Sequence, residues 1–368
     1  MNKMIVSNLV HRPIRSVISI VAIAAEVTLI LLIVGLSIGM LNDSKARQAG
    51  IGADIMVKPP GSSVIGNLSS APISVKVADV IKQKVPGVKA VAPVLTQFNT
   101  SGAVEILYGI DIESFQALGR PFTFIAGGPF AGPDDILVDE YIAQSKKLSV
   151  GQTIRELNHD FRIAGIVASG KGARKFMPIK TVQELLGADG KASIFYVKLE
   201  DSKNTDAAVQ QIKQIPGMSS YVVQSVEEWL SLMAPDKVPG LAAFINVVIG
   251  VSVCIGFLVI FQSMYTAVME RTREIGILKS MGASKAYIVR LILRETLLLS
   301  VVGIVVGIVF SYAASAGLVR AFPTVRIMVE AEWVLKATAI ALVGSILGAL
   351  YPAFRAAQKD PIDALAYE

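Results

Sequence analysis

The sequence has little of the chemistry that builds enzyme or metal sites. Its 368 residues include one cysteine and two histidines. Cys254 lies inside an apolar run, so neither a disulfide nor a cysteine-based metal site can form within one chain. His11 and His159 flank the first long apolar run, which places them on opposite sides of a membrane and excludes a paired-histidine site. We therefore predict no metal site in this chain.

Nucleotide-binding loops are missing as well. No GxxxxGK[ST] loop occurs, so the chain is not expected to hydrolyse ATP by the P-loop route. Gly127-Gly128 lacks a following helix with an acidic partner position, which leaves a dinucleotide site weakly supported. We predict no catalytic residue and no cofactor within this chain. Any energy that it uses has to come from a partner.

Charged residues are few, at 17% of the chain, whereas hydrophobic residues make up 53%. This composition is too apolar for an ordinary soluble protein and predicts membrane insertion. The net charge of +6 does not indicate nucleic-acid binding, because the segment 42–240 is nearly balanced. The excess lies in short stretches beside the apolar runs, where it reports orientation instead.

Four apolar runs approach or exceed the roughly 20 residues that a spanning helix needs. The first run could be a signal peptide, but it exceeds a typical signal-peptide core and no small-x-small cleavage site follows Met40. We therefore expect an uncleaved first span, with membrane lipids around all four. The predicted spans are 17–41, 241–267, 297–318 and 334–350.

The polar segment 270–294 joins the second span to the third, so both spans must end on the same side of the membrane. Lys/Arg excess in a short connection marks the cytoplasmic face. An even number of spans then leaves both termini in the cytoplasm. We predict an α-helical membrane protein with an extracytoplasmic α+β domain inserted between helices 1 and 2. The expected divisions are 1–41, 42–240 and 241–368.

The residue pattern of 270–294 predicts a bent connection between the two spans, which we call the elbow. Ile275, Leu278 and Met281 recur at helical spacing and predict an amphipathic helix. Gly282 supplies a left-handed stop, and Ser284 supplies an N-cap for a second helix that runs into the third span. The alternative is an ordinary solvated, positively charged loop.

The elbow and the end of the chain resemble the MacB/FtsX-type permeases, the membrane subunits of a class of ABC systems. The resemblance covers about the last 130 residues closely, and the rest matches in layout. The matching stretches are ERTREIGILK at 270–279, MGAS at 281–284, YPA at 351–353, RAA at 355–357 and DPIDAL at 360–365.

The resemblance implies a pair of such chains, as a homodimer or as a heterodimer with a related permease, in a bacterial inner membrane. It also implies two copies of a separate ATPase that bind ATP and Mg, with a periplasmic adaptor or another envelope partner as an open alternative. The elbow would then contact the ATPase, with the tail as a second brace. The residues expected to couple to the ATPase are Arg271, Arg273, Glu274, Ile277, Leu278, Met281, Gly282, Ser284, Asp360 and Pro361.

The middle segment 42–240 contains a repeated phrase. A helix ending in Pro-Gly before an apolar strand occurs at 80–87 and again at 211–217, which predicts two related α/β halves. Between them we predict a β-rich lobe. Its Lys171, Arg174 and Lys175 could make a basic contact site or, by the plainer interpretation, a solvated loop. The expected strands of the segment are 52–58, 90–94, 136–139, 153–157 and 161–168.

A second set of candidates lies near the first span. Glu26 is a carboxyl group in the middle of that span, which indicates either a functional site or a neutral, hydrogen-bonded side chain. Gly35 and Gly39 form a GxxxG face for close helix packing, within or between chains. Met40 and Met233 lie near the predicted outer mouths. We assign these residues to a substrate or dimer interface, and thioether sulfur could also ligate haem iron if haem were a substrate.

Two functions remain open. Export of a hydrophobic or amphipathic substrate, such as a drug, a peptide, a lipid-linked molecule or haem, fits spans that carry almost no charge besides Glu26. A mechanotransmission subunit that moves no solute and regulates an envelope enzyme or sensor is the alternative.

Overall fold

The structure, a computed structural model, describes residues 13–62, 72–99 and 105–360. The chain packs as two compact units. The helical unit contains the described residues up to 38 together with 240–320 and those from 327 onward. The sheet unit contains the described residues of 39–239 together with 321–326.

The helices and strands alternate long helices with a strand-rich middle. In chain order they are α1 (Pro13–Ala49), β1 (Ile55–Lys58), β2 (Ile73–Ser74), α2 (Val77–Lys84), β3 (Val88–Asn99), β4 (Glu105–Ile110), α3 (Ile112–Gln116), β5 (Phe124–Gly127), β6 (Asp135–Asp139), α4 (Glu140–Lys146), β7 (Thr153–Glu156), β8 (His159–Val167), β9 (Lys175–Pro178), α5 (Ile179–Leu185), β10 (Lys191–Ala192), β11 (Ile194–Leu199), α6 (Thr205–Gln214), β12 (Val222–Ser225), α7 (Val226–Leu232), α8 (Leu241–Glu270), α9 (Thr272–Ser280), α10 (Lys285–Ala321) and α11 (Ala331–Gln358).

Four helices are long and apolar enough to cross a membrane, namely α1 from Ser16 onward, α8, α10 and α11. They contain the four predicted apolar runs. Each extends beyond its run because a helix satisfies its own backbone hydrogen bonds and need not stop where the side chains become polar. In α10 the extension begins at Lys285, so the third span and the second half of the elbow are one continuous helix.

Glycines bring these helices into close contact within the chain. A Cβ atom added at Gly303 would lie 2.8 Å from Cβ of Ile23, and one at Gly307 would lie 2.8 Å from the carbonyl oxygen of Ala24. One at Gly348 would lie 3.0 Å from the carbonyl oxygen of Phe257. The glycine faces of α10 and α11 are therefore used to pack α1 and α8, where absent side chains let backbones approach.

The sheet unit is built on one mixed ten-stranded sheet, with strand order β12-β1-β11-β3-β4-β9-β6-β8-β5 and β7 paired to β8. The β4–β9 and β6–β8 pairs are parallel, and the other pairs are antiparallel. Such mixed pairing with helices on an antiparallel core is the α+β class that the sequence predicts. A separate two-stranded ladder joins β10 to β2.

The repeated phrase folds the same way twice. After α2 and after α6 the chain turns at a glycine with positive φ, Gly87 at 78° and Gly217 at 86°. Ile81 and Ile212, from the two helices, are fully buried in one shared core. The β-rich segment between the two phrases extends the same sheet from β3 outward. The strand predicted at 90–94 accordingly runs on to Asn99, because β4 continues the pairing along it.

We predict that Gly307→Val destabilises the helical unit, whereas Gly317→Val in the same helix does not. An added side chain at Gly307 meets the backbone of Ala24, while a Cβ atom at Gly317 meets nothing within 4 Å. Forcing two helix backbones apart costs about 1–3 kcal/mol. The measurement is the thermal midpoint of the purified chain in detergent, and equal midpoints for the two variants would contradict this packing.

Candidate functional site

The elbow is a helix with a defined beginning and end. One residue separates α8 from α9. Two positions after the last residue of α9, Gly282 adopts a left-handed conformation with φ of 96°. The Ser284 hydroxyl then accepts a hydrogen bond from the Tyr287 amide at 3.2 Å and caps the start of α10. The predicted stop and N-cap are both confirmed.

The inner face of α9 is fixed by a buried ion pair. Nη1 of Arg271 lies 2.9 Å from Oε2 of Glu295 in α10, and the two side chains are 11% and 5% exposed. Thr272 and Ile275 are buried beside this pair. Removing either partner would strand a charge inside the protein, which is far more costly than losing a surface pair. Glu295 was not among the residues predicted for the site.

A second cation fixes the other end of α9. Nζ of Lys279 donates to the carbonyl oxygens of Ala357, at 3.0 Å, and of Lys359. These carbonyls belong to the end of α11, where a helix has no intrahelical partners for its last C=O groups and carries a partial negative charge. The elbow is thus braced to α11 as well as to α10. Asp360 is exposed next to this brace, and Pro361 lies outside the described residues.

The outer face of α9 is uncovered. Arg273 and Glu274 are exposed, and Ile277 and Met281 are 42% and 71% exposed. We call these four residues and Gly282 the elbow face. Two exposed apolar side chains next to charges form a surface suited to a protein partner. Arg271 and Leu278 are instead half-buried on the side of α9 that packs against the rest of the chain, where they brace the elbow.

The candidates on the first span lie inside the protein. Glu26 is 3% exposed, and its Oε1 atom has no hydrogen-bond partner among the described residues. Its carboxyl group fits against Gly256 of α8, where any Cβ atom would collide with it. The hydrogen-bonded alternative is therefore not seen for Oε1. Glu26 is thus packed between helices of its own chain.

Three of the four remaining candidates are buried too. A Cβ atom at Gly35 would lie 3.0 Å from the carbonyl oxygen of Met328, so this glycine packs against its own chain. Gly39 is buried, and Met233 is 7% exposed in the core that contains Trp229. All three are therefore packed inside their own chain. Met40, at 59% exposure, is the member of the set that keeps a surface.

Two basic residues of the β-rich segment, Arg174 and Lys175, form a network of ion pairs. They therefore make neither an open contact site nor a solvated loop. Nη2 of Arg174 lies 2.9 Å from Oδ2 of Asp43 and donates to the carbonyl oxygen of Thr324 at 3.1 Å. Its Nη1 lies 3.1 Å from Oδ2 of Asp139. One guanidinium therefore joins the end of α1, the connection after α10 and the start of α4. Burial raises the pKa of Asp139, against the effect of its bonds to Ile142 and Arg174.

Lys175 is the second centre of this network. Its side chain is 1% exposed and pairs with Glu105 and, at 2.5 Å, with Glu156. Burial alone would lower the pKa of Lys175, but the two carboxylates outweigh it and raise the pKa. Burial likewise opposes ionisation of Glu105, yet hydrogen bonds from Lys175 and the charge of Lys146 lower its pKa overall. Both shifts favour the ionised forms of Lys175 and Glu105.

The geometry defines a multi-span helical membrane protein with an α+β unit and a braced helical elbow. Two family models cover most of the chain: the MacB-like periplasmic core domain matches 16–215, and the FtsX-like permease C-terminal domain matches 246–361. The chain belongs to the MacB/FtsX-type ABC transporter permease family. With its four apolar helices, this membership makes it an inner-membrane protein.

Named relatives agree with this family. Macrolide export ATP-binding/permease protein MacB of Rhodopirellula baltica is 34% identical over 184 residues, covering 47% of this chain and 26% of its own. The uncharacterised ABC transporter permease YknZ of Bacillus subtilis is 26% identical over 265 residues, covering 68% of this chain and 65% of its own. The chain thus spans less than two thirds of either relative.

A solved structure is similar over about half of the chain. The periplasmic region of MacB from Actinobacillus actinomycetemcomitans aligns at 16% identity with a TM-score of 0.38, covering 49% of this chain and 92% of its own.

We predict that Arg271→Ala lowers the stability of the helical unit by about 3–5 kcal/mol, because it leaves Glu295 buried without its cation. Arg271→Ala/Glu295→Ala should be less destabilised than the single variant. Arg273→Ala, an exposed change in the same helix, should shift stability by less than about 0.5 kcal/mol. A double-mutant cycle on thermal midpoints measures the coupling, and additive effects would mean that the pair contributes nothing.

We predict that Lys175→Met destabilises the sheet unit by about 3 kcal/mol and reverses its response to acid. In the native chain the lowered pKa of Glu105 gives stability that is present above its ordinary pKa and lost as pH falls through its folded pKa. In the variant Glu105 lacks its main cation, so protonating this carboxyl group as pH falls should restore stability.

Lys146→Met is the matched control, since Lys146 pairs with the same Glu105 at 3.2 Å but is 48% exposed, and it should cost less than about 1 kcal/mol. Fluorescence of buried Trp229, in a Trp333→Phe background, follows the sheet unit. Parallel pH profiles for Lys175→Met and the native chain would refute the triad.

Proposed function

We propose that this chain is the permease subunit of an ABC system in which ATP hydrolysis by a partner ATPase changes the conformation of the sheet unit. The observation that supports this most directly is the elbow: a short helix braced at both ends whose outer face is uncovered. A solvated loop would need neither the Arg271–Glu295 pair nor the Lys279 contacts. The braces suit a part that must transmit displacement without bending.

The proposed route for motion follows those contacts. A push on the elbow face moves α9 and, through Arg271 and Lys279, the adjoining ends of α10 and α11. Helix α8 moves with them because it leads into α9 with one intervening residue. Stiff packed elements that have two arrangements can carry such a change across a bilayer.

The family supplies the proposed partners and orientation. Two ATPase copies would bind ATP and Mg and dock on the elbow faces of two permease chains, either two copies of this chain or this chain and a related one. The cations of the elbow support a cytoplasmic position for the elbow and both termini, with the sheet unit outside. A periplasmic adaptor or another envelope partner would act on the sheet unit.

Export of a hydrophobic or amphipathic molecule is the function that we favour. The name of one relative refers to macrolide export. The spans of this chain present apolar surfaces, and Glu26 and Glu295 within them are both buried. A substrate taken from the membrane or from outside suits such helices better than a polar solute crossing between them. Haem is less favoured because Met233 is packed in a core.

Mechanotransmission without transport is the second candidate, and the Arg174 network favours it. This network gathers the end of α1 and residues 321–326 onto the sheet, so motion of those segments reaches the sheet through buried ion pairs without a solute path. Export predicts that substrate stimulates ATP hydrolysis and accumulates across reconstituted vesicles. Mechanotransmission predicts nucleotide-dependent activation of an envelope partner and no solute movement.

We predict that Met281→Asp weakens the binding between this chain and its proposed ABC ATPase partner by at least about ten-fold. A charge in the centre of an apolar contact of this kind costs more than about 1.4 kcal/mol, which is ten-fold in affinity. Ile125→Asp is the matched control, because Ile125 is 56% exposed on β5 of the sheet unit. Affinity is measured in detergent with purified components, and unchanged binding by Met281→Asp would overturn the assignment of the elbow face.

A further inference from the structure

A groove of about 700 Å³ lies between the first turns of α10 and the last turns of α11. Its floor is apolar, formed by Val289, Leu293 and Leu297 at four-residue spacing on α10 and by Ile346 and Phe354 of α11. Leu297, Ile346 and Phe354 are 43%, 37% and 52% exposed. An open apolar channel of this size suits a flexible hydrocarbon chain.

The rim of the groove is positively charged. Lys285, Arg290 and Arg294 line it, and the first two make no hydrogen bond or ion pair in the part of the chain that the structure describes. Arg294 already has a partner within the described chain, so Lys285 and Arg290 are the cations of this rim that an anion would pair with.

The same groove therefore offers apolar walls and unpaired cations, and it lies at the polar start of α10, where a spanning helix meets the membrane surface. We propose that it binds an anionic phospholipid, with acyl chains along Leu293, Leu297 and Phe354 and the phosphate group against Lys285 and Arg290. Basic pockets between spanning helices hold such headgroups. A helix from a second copy fits less well, because it would bury both cations without a counter-charge, which is costly.

This binding site does not rest on coupling to an ATPase. It requires only that α10 and α11 cross a membrane, and it would hold for either orientation of the chain. Its failure can therefore be separated from failure of the proposed function, since the elbow face and the groove carry no residue in common.

The test is lipid retention by the purified full chain. The chain is mixed in detergent with equal amounts of cardiolipin and phosphatidylcholine, and bound lipids are counted by native mass spectrometry. The variants are Lys285→Gln/Arg290→Gln, which removes the charges, and Ala286→Trp, which fills the groove from the exposed face of α10. Arg355→Gln is the matched control, because Arg355 is exposed on the last turns of α11 and does not line the groove.

We expect the native chain and Arg355→Gln to retain cardiolipin over phosphatidylcholine. Each removed cation is worth roughly 1 kcal/mol, so the double variant should lose cardiolipin by roughly 25-fold. Ala286→Trp should lose both lipids at this site. Equal retention of the two lipids by the native chain, or an equal loss in Arg355→Gln, would overturn the proposal. So would a dimer that Ala286→Trp dissociates while lipid counts stay unchanged, which would assign the groove to a second copy.

Discussion

Two partly buried cations hold the elbow in place. Arg271 pairs with Glu295, and Lys279 binds the final carbonyls of α11. Because each cation is partly shielded from water, solvent does not readily replace its partner. The contacts therefore hold α9, α10 and α11 together at this point. The uncovered side of α9, the continuity of α10 and the groove beside it all presuppose that arrangement.

Close backbone packing holds the spanning helices together, as the polar contacts of Arg271 and Lys279 hold the elbow. Glycines on α10 and α11 let α1 and α8 approach until their backbones touch. In a membrane, where burying apolar surface gives no advantage over lipid, such contact and polar pairing are what remain to hold helices together. The carboxyl group of Glu26, whose Oε1 atom has no hydrogen-bond partner among the described residues, is set against Gly256 in this contact.

Local signals in the sequence predicted the parts of this molecule that depend on neighbours in the chain. The four apolar runs, the Gly282 stop, the Ser284 cap and the repeated Pro-Gly turns are all read within a few residues. What could not be predicted depends on distant partners. Glu295 sits 24 residues from Arg271, and Arg174 finds Asp43 and Thr324 at separations of 131 and 150 residues. No short pattern marks Arg174 as a hub, and no periodicity shows that Met233 faces a core.

The division of the elbow into a buried side and an open side separates two properties that the signature motif combines. The charged motif residues Arg271 and Lys279 bind other parts of the same chain, so their role is to hold the elbow in position. Ile277 and Met281 are the apolar motif residues that a partner protein can contact. A chain could thus keep the braces of the elbow and change its partner ATPase by altering two apolar side chains. Two chains that share the signature motif would then not necessarily share an ATPase.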